Sequence, residues 1–405
     1  MLYDTIVGDD RMVQIGGPAL GEDFHDRERE LLELKRKVLK NNILITAPRR
    51  FGKTSLLRKF EGDMKKNGYT VIYLDVMDVS SPERFIHELT LAAFDEADLR
   101  DDFFEKLKKI FKGLTIDAKT PVASLKLELS KVVEDNVNEK TWHDTGREIV
   151  KAIVGSSEKK PVIVILDELP EAVSNMKKKG SDAVEFLQWF RKVRQKVPEI
   201  KFIVAGSTSF EKVVESISGR NAYINDMYTI SLSGFSKEDA LKFLETAFEE
   251  DDLPFTGGIG NKILELVGEP YVPYFLAVFV DILYEATEEG TSPDEIFNRL
   301  EEVYWSKLLG SEGTRYFRDY GDRLKIYYSE YLEPVKEILK EAAGSEEGIN
   351  VDLAKEIFLE RTGCSEDEFN LLLRDLENDF YISVRGDRII FQSKLMKDWW
   401  GLNYG

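Results

Sequence analysis

The stretch ITAPRRFGKTSLLRKF at residues 45–60 decides the fold of this 405-residue chain. A phosphate-binding loop calls for glycine, four variable residues and then Gly-Lys-Ser/Thr, set between a strand and a helix. Gly52, Lys53 and Thr54 supply the end of that pattern, and Ala47 stands where its first glycine would be. A methyl group is tolerable at the first turn if φ there is negative, and Gly52, where backbone must approach phosphate closely, is intact. Upstream, ILIT at 43–46 is a short apolar run from which Pro48 forces an exit. Downstream, KTSLLRKFEGDMKKNG from Lys53 reads as a helix closed by Gly68. The strand before and the helix after make a loose motif match specific.

Such a loop binds phosphate because successive backbone N–H groups point inward and the helix N-terminus adds favourable partial charge. Ala47, Pro48, Arg49, Arg50, Phe51, Gly52 and Ser55 are the candidate cradle for ATP or ADP. Lys53 reaches the β- and γ-phosphates, and the Thr54 hydroxyl holds Mg²⁺. Arg49 and Arg50 contact phosphate or a neighbouring acid.

Outward from the loop, β-rich runs alternate with helical stretches: TVIYLDV at 70–76, PVIVILDE at 161–168, KFIVAGS at 201–207 and YTISLSGF at 228–235. With the loop strand they make five, which implies a parallel sheet covered on both faces. Residues 82–154 read as mostly helical, with an inserted hairpin in FKGLTIDAKTPVASLKLELS at 111–130. After Gly234 the pattern is helical to about Leu300. A last unit from about 326 reads as three helices, then FYISV and RIIFQS flanking RGDR as a two-stranded wing, then a short helix.

The most apolar strand ends in Leu166-Asp167-Glu168. Phosphoryl chemistry needs one carboxylate to hold Mg²⁺ through its waters and a second group to orient the attacking water. Asp167 fits the first role and Glu168 the second, as base. Two acids after a strand also fit a solvated loop, but the upstream phosphate loop favours the site. The pair argues against a small-molecule kinase, which needs no water-activating glutamate. Ser207 and Thr208 end another strand, where a hydroxyl would sense the γ-phosphate or simply make a turn. Arg220 is a candidate arginine finger, with ordinary surface arginine as the alternative.

Composition narrows the setting. A hydrophobic fraction of 42 % and 32 % charge describe a soluble globular chain. Neither a signal peptide nor a membrane span is expected, and the single cysteine, Cys364, allows no internal disulfide. A cytoplasmic protein is expected. Net charge of −19 repels nucleic acid as a whole, though not from a local basic patch.

Together, FHDREREL at 24–31, APRRFGKTSLL, a strand ending ILDE and a strand ending AGS resemble the archaeal-type P-loop ATPases, which lie near the AAA+ and STAND groups. The resemblance continues through LSGFSKEDALKFL and VGEPYVPYFL to FQSKLMKDWW, with gaps in the 82–154 insertion, and Ala47 is its departure. It implies an α/β P-loop NTPase domain at 1–231 with a central parallel five-stranded, AAA+-like sheet, a helical lid domain at 232–325 and a C-terminal winged-helix domain at 326–405. It also implies that the loop strand lies between the AGS strand and the 228–235 strand, with the ILDE strand one further out. Phe24, Arg27, Glu28 and Leu31 match the stretch that walls the adenine pocket in that family. Gly268-Glu269-Pro270 resembles the element through which STAND proteins contact ADP, so Pro270 joins the nucleotide contacts; an interhelical turn with core aromatics is the other reading.

The expected activity is slow, Mg-dependent ATP hydrolysis serving a STAND-like switch that acts through a protein partner or self-assembly. The alternative is a DNA-associated ATPase resembling origin-recognition loaders. The candidate recognition helix at 364–380 carries Glu366, Asp367, Glu368, Asp375, Glu377 and Asp379 against Arg374 alone, which disfavours duplex DNA. Arg385 and Arg388 cannot offset those acids, and Trp399 and Trp400 read as core closure.

Overall fold

The structure, a computed structural model, describes residues 27–111, 114, 121–207, 209–219 and 221–404. Among these, one compact unit comprises 27–47 and 53–232, and a second comprises 48–52 and 233–404.

The first unit opens with α1 (Glu28–Val38), β1 (Ile43–Thr46), α2 (Lys53–Lys66) and β2 (Val71–Asp75). Four helices follow: α3 (Pro82–Asp95), α4 (Arg100–Ile110), α5 (Val122–Asn136) and α6 (Trp142–Ser156). It continues through β3 (Val162–Asp167), α7 (Leu169–Lys178), α8 (Ala183–Lys196), β4 (Ile200–Ala205) and α9 (Phe210–Ser218) to β5 (Tyr228–Ser231). The five strands form one all-parallel sheet in the order β2-β3-β4-β1-β5. That is the expected order, with β1 between β4 and β5. All six residues of β3 are buried, as befits a parallel strand covered on both faces.

Local chemistry sets the helix starts. Ser81 caps α3, its hydroxyl accepting from Arg84 N at 3.2 Å with Pro82 in the first helical position. Asp182 caps α8, accepting from Glu185 N at 2.7 Å. Between α6, α3 and α8, an added Cβ on Gly146 would lie 2.6 Å from Ile86 Cδ1 and 2.8 Å from Trp189, so only glycine permits this approach. Phe85 meets Phe186 edge-to-face at 5.0 Å, and Trp142 meets Trp189 at 5.6 Å.

The hairpin expected at 111–130 is not formed where the chain is described: Val122–Asn136 is the helix α5. Leu125, Leu129 and Val133 are its buried residues, at helical spacing. The alternation that suggested strands came from Leu127, which is 67 % exposed. Residues 112, 113 and 115–120 lie outside the described residues.

The second unit contains α10 (Lys237–Glu250), α11 (Gly257–Val267), α12 (Pro273–Glu285) and α13 (Pro293–Glu302), whose end runs on as a π-helical turn over Val303–Leu308. Next come α14 (Thr314–Tyr327), α15 (Leu332–Gly344), β6 (Ile349–Asn350), α16 (Val351–Thr362), α17 (Glu366–Asn378), β7 (Ile382–Arg385), β8 (Arg388–Phe391) and α18 (Lys394–Tyr404). The helix α14 runs across residue 325. The hairpin read from FYISV and RIIFQS is present, β7 and β8 pairing antiparallel, and β6 adds a third strand on β8. Trp399 and Trp400 are each 1 % exposed and close this core, as expected.

Candidate nucleotide-binding site

The loop between β1 and α2 has the backbone the motif requires. Gly52 has φ +81°, a conformation that glycine alone adopts cheaply. Ala47 is not among the positive-φ residues, so its methyl group is accommodated. Lys53 opens α2 and is 7 % exposed, its Nζ donating to Ala47 O at 2.6 Å. Thr54 and Ser55 occupy the same first helical turn.

Parallel pairing brings the other expected residues to the same sheet edge. Asp167, at the end of β3, is 4 % exposed. Its Oδ2 accepts from Thr54 Oγ1 at 3.1 Å and from Tyr73 Oη at 2.6 Å, while Oδ1 accepts from Glu168 N at 3.2 Å. Glu168 has φ +59°, which turns the chain sharply from β3 into α7. Its Oε2 accepts from both Ser207 N at 2.8 Å and Ser207 Oγ at 3.0 Å. The two acids therefore have distinct settings: one beside the P-loop threonine, the other on the polar end of β4.

Tyr73 was missed in the sequence. It sits on β2, paired in register with Ile165, and the Arg58 guanidinium lies 3.4 Å from its ring centroid. Burial, reinforced by the Asp167 carboxylate, pushes its phenol well above the ordinary range and keeps it a donor. A tyrosine in a β-rich run reads as core, so no local signal marks it.

Arg27, expected near the base, is 3 % exposed and pairs with Glu30 at 2.8 Å. Arg49 and Arg50 both face Asp319 of α14, at 3.4 Å and 3.9 Å. Arg50 has φ +69°, and its guanidinium covers the Tyr274 ring at 3.8 Å. Burial lowers its pKa, with Tyr320 and Asp319 pulling the other way. Phe51 is 3 % exposed and meets Phe380 edge-to-face at 4.9 Å. Pro270 follows a cis peptide bond and lies against Gly234, where an added Cβ would approach Pro270 Cβ to 2.9 Å. Its neighbour Tyr271 accepts from Phe235 N at 2.8 Å. Arg220 and Thr208 lie outside the described residues.

Among the described residues no group of three or more His, Cys, Asp and Glu side chains could hold a metal. The Thr54 hydroxyl and Asp167 carboxylate are nonetheless hard oxygen donors suited to Mg²⁺, which commonly takes few protein ligands and substrate phosphates for the rest. Because Thr54 donates its proton to Asp167, its oxygen lone pairs remain available to a cation.

Among solved structures, a Walker-type ATPase of Pyrococcus abyssi aligns over 96 % of this chain and 99 % of its own at 19 % identity and a TM-score of 0.63. The ORC2 protein of Aeropyrum pernix, in ADPNP and ADP complexes, aligns over 97 % of this chain and 98 % of its own at 14 % identity and a TM-score of 0.44. At 19 % identity the likeness to the Pyrococcus abyssi protein concerns fold. No curated protein sequence matches the chain. A family profile described as an ATPase domain predominantly from Archaea matches residues 24–270. With the loop, the five-stranded parallel sheet and a match over more than half its length, the chain belongs to this family of archaeal-type P-loop ATPases.

Proposed function

We propose that the chain binds ATP with Mg²⁺ on residues 47–55 and hydrolyses it slowly, the nucleotide state acting as a switch for a protein partner or self-assembly. The observation that carries this reading is the convergence of Lys53, Thr54, Asp167, Glu168 and Ser207 at the carboxyl edges of β1, β3 and β4. Open α/β sheets bind ligands at that edge.

Lys53 exchanges its bond to Ala47 O for phosphate oxygens. Asp167, which accepts from Thr54, would together with Thr54 hold the cation, and the cation would supply charge neutralisation to the phosphates. Glu168 orients the attacking water and takes its proton. In the structure its Oε2 already accepts two hydrogen bonds from Ser207, which have to rearrange or share before Glu168 turns to water. A base engaged in this way favours slow turnover. On this reading residues 232–325 serve as the lid and 326–405 as a winged-helix module.

For that module, protein docking is favoured over duplex DNA. The first turn of α17 carries Glu366, Asp367 and Glu368, all exposed. Glu377 and Asp379 are turned to internal use, accepting from Val384 N at 2.7 Å and Tyr328 Oη at 2.6 Å. An acidic leading turn beside phosphates would be repelled.

The test is to denature freshly purified protein and identify the released nucleotide and its ratio to chain, then to follow phosphate release. Near-stoichiometric ADP and slow turnover independent of DNA are expected. An empty site with DNA-stimulated turnover, lost as salt rises, would replace the switch with the loader reading.

A further inference from the structure

Thr54 and Arg58 are four residues apart on α2, so they share one helix face. Both reach the same carboxylate by different routes. Thr54 Oγ1 donates directly to Asp167 Oδ2 at 3.1 Å. Arg58 lies over the Tyr73 ring at 3.4 Å, and Tyr73 Oη donates to that same oxygen at 2.6 Å. Arg58 is itself fixed by Glu61 at 3.0 Å. Helix α2, strand β2 and the end of β3 are thus closed into a ring of contacts around one buried oxygen.

We propose that Tyr73 is the positioning residue for the Mg²⁺ of this site, fixing the Asp167 carboxylate in its metal-competent rotation. This rests on the nucleotide site proposed above. The terminal torsion of an aspartate is broad and roughly two-fold, so a carboxylate meant to receive a metal-bound water needs donors to hold its plane. The Glu168 N–H holds the other oxygen, and the Thr54 hydroxyl, which donates to Oδ2, is also the group whose lone pairs would meet the cation. The Tyr73 hydroxyl is the donor with no such second duty, on a rigid ring pinned by Arg58. Partners of this kind, one step removed from a metal, commonly shift affinity by 10- to 100-fold.

The test uses the full chain and Tyr73→Phe, which keeps the ring under Arg58 and removes only the hydroxyl. Binding of a fluorescent ADP is titrated with Mg²⁺, and separately measured in excess chelator. The expected result is a rise of about tenfold in the Mg²⁺ concentration giving half-maximal binding, with affinity in chelator unchanged. In an Asp167→Asn background the same change should add little, since the acceptor it serves is altered. An unchanged or lowered Mg²⁺ requirement, or an equal loss with and without metal, would overturn the proposal. If the unaltered chain binds the ADP with no response to Mg²⁺, or not at all, the nucleotide-site reading itself fails with it.

Discussion

Lys53 Nζ sits on Ala47 O, a carbonyl contact that an incoming phosphate would replace. The ammonium is thereby held beside the loop, and in the proposed site it is the group that meets the terminal phosphates. Lys53→Ala should abolish ATP binding in a filter or fluorescence assay. Glu168→Gln keeps the side chain's size and one acceptor oxygen for Ser207 while removing its basicity. It should leave ATP bound and slow phosphate release by about 10² or more, the scale of positioned acid–base groups. Unaltered hydrolysis in both variants would remove the assignment. These residues were legible because the chain encodes them locally, in one loop and one strand end. Tyr73 was not, because its role exists only once β2 and β3 pair and bring Asp167 to its hydroxyl. Arg49 and Arg50 were read as touching phosphate or an acid, and the acid is Asp319, far along the chain.

Two element junctions carry more than packing. The side chain of Arg194 on α8 is fully buried, and it pairs with Asp226 through Nη2 at 2.8 Å and Nε at 3.2 Å. It also donates to Tyr223 O, so one guanidinium holds the segment leading into β5. Asp226→Ala strands that charge, and should cost about 3–5 kcal/mol in chemical denaturation. After α11, Gly268 adopts φ +70° and ψ 166°, a region essentially reserved for glycine. An added Cβ would also lie 2.6 Å from Lys394 Cβ, on the helix whose Lys394 Nζ donates to Leu266 O at 3.1 Å. Gly268→Ala should therefore lower stability by roughly 2 kcal/mol or more, seen as an earlier thermal transition. The strands and long helices were legible from periodicity, since burial follows the same spacing. The hairpin failed at α5 because one exposed leucine imitated a two-residue period. Nothing local distinguishes a solvent-facing leucine from a core one.

At the scale of the whole molecule, residues 48–52 belong to the same compact unit as 233–404. Asp319 there sets a carboxylate against two loop arginines, so it competes with any phosphate for the same guanidiniums. Partly exposed pairs of this kind contribute up to about 1 kcal/mol. Asp319→Asn should accordingly tighten ATP binding by about threefold and make it more sensitive to salt, as titrations at two ionic strengths would show. The change from alternating strands and helices to successive helices after residue 234 was visible in the sequence. That a handful of loop residues would be held by side chains from α12, α14 and the end of α17 was not visible, since no sequence pattern links them.

The packing of Phe51 on Phe380 also bears on how the protein is made. Synthesis delivers the phosphate loop well before Phe380, and leading segments generally fold as they emerge. A nascent chain can complete the parallel sheet while the benzyl group of Phe51 still lacks its cover. Until Phe380 emerges, that ring lacks its edge-to-face partner, which leaves an apolar spot in the middle of the loop proposed to grip phosphate. A chain cut short before Phe380 would keep that apolar spot for good.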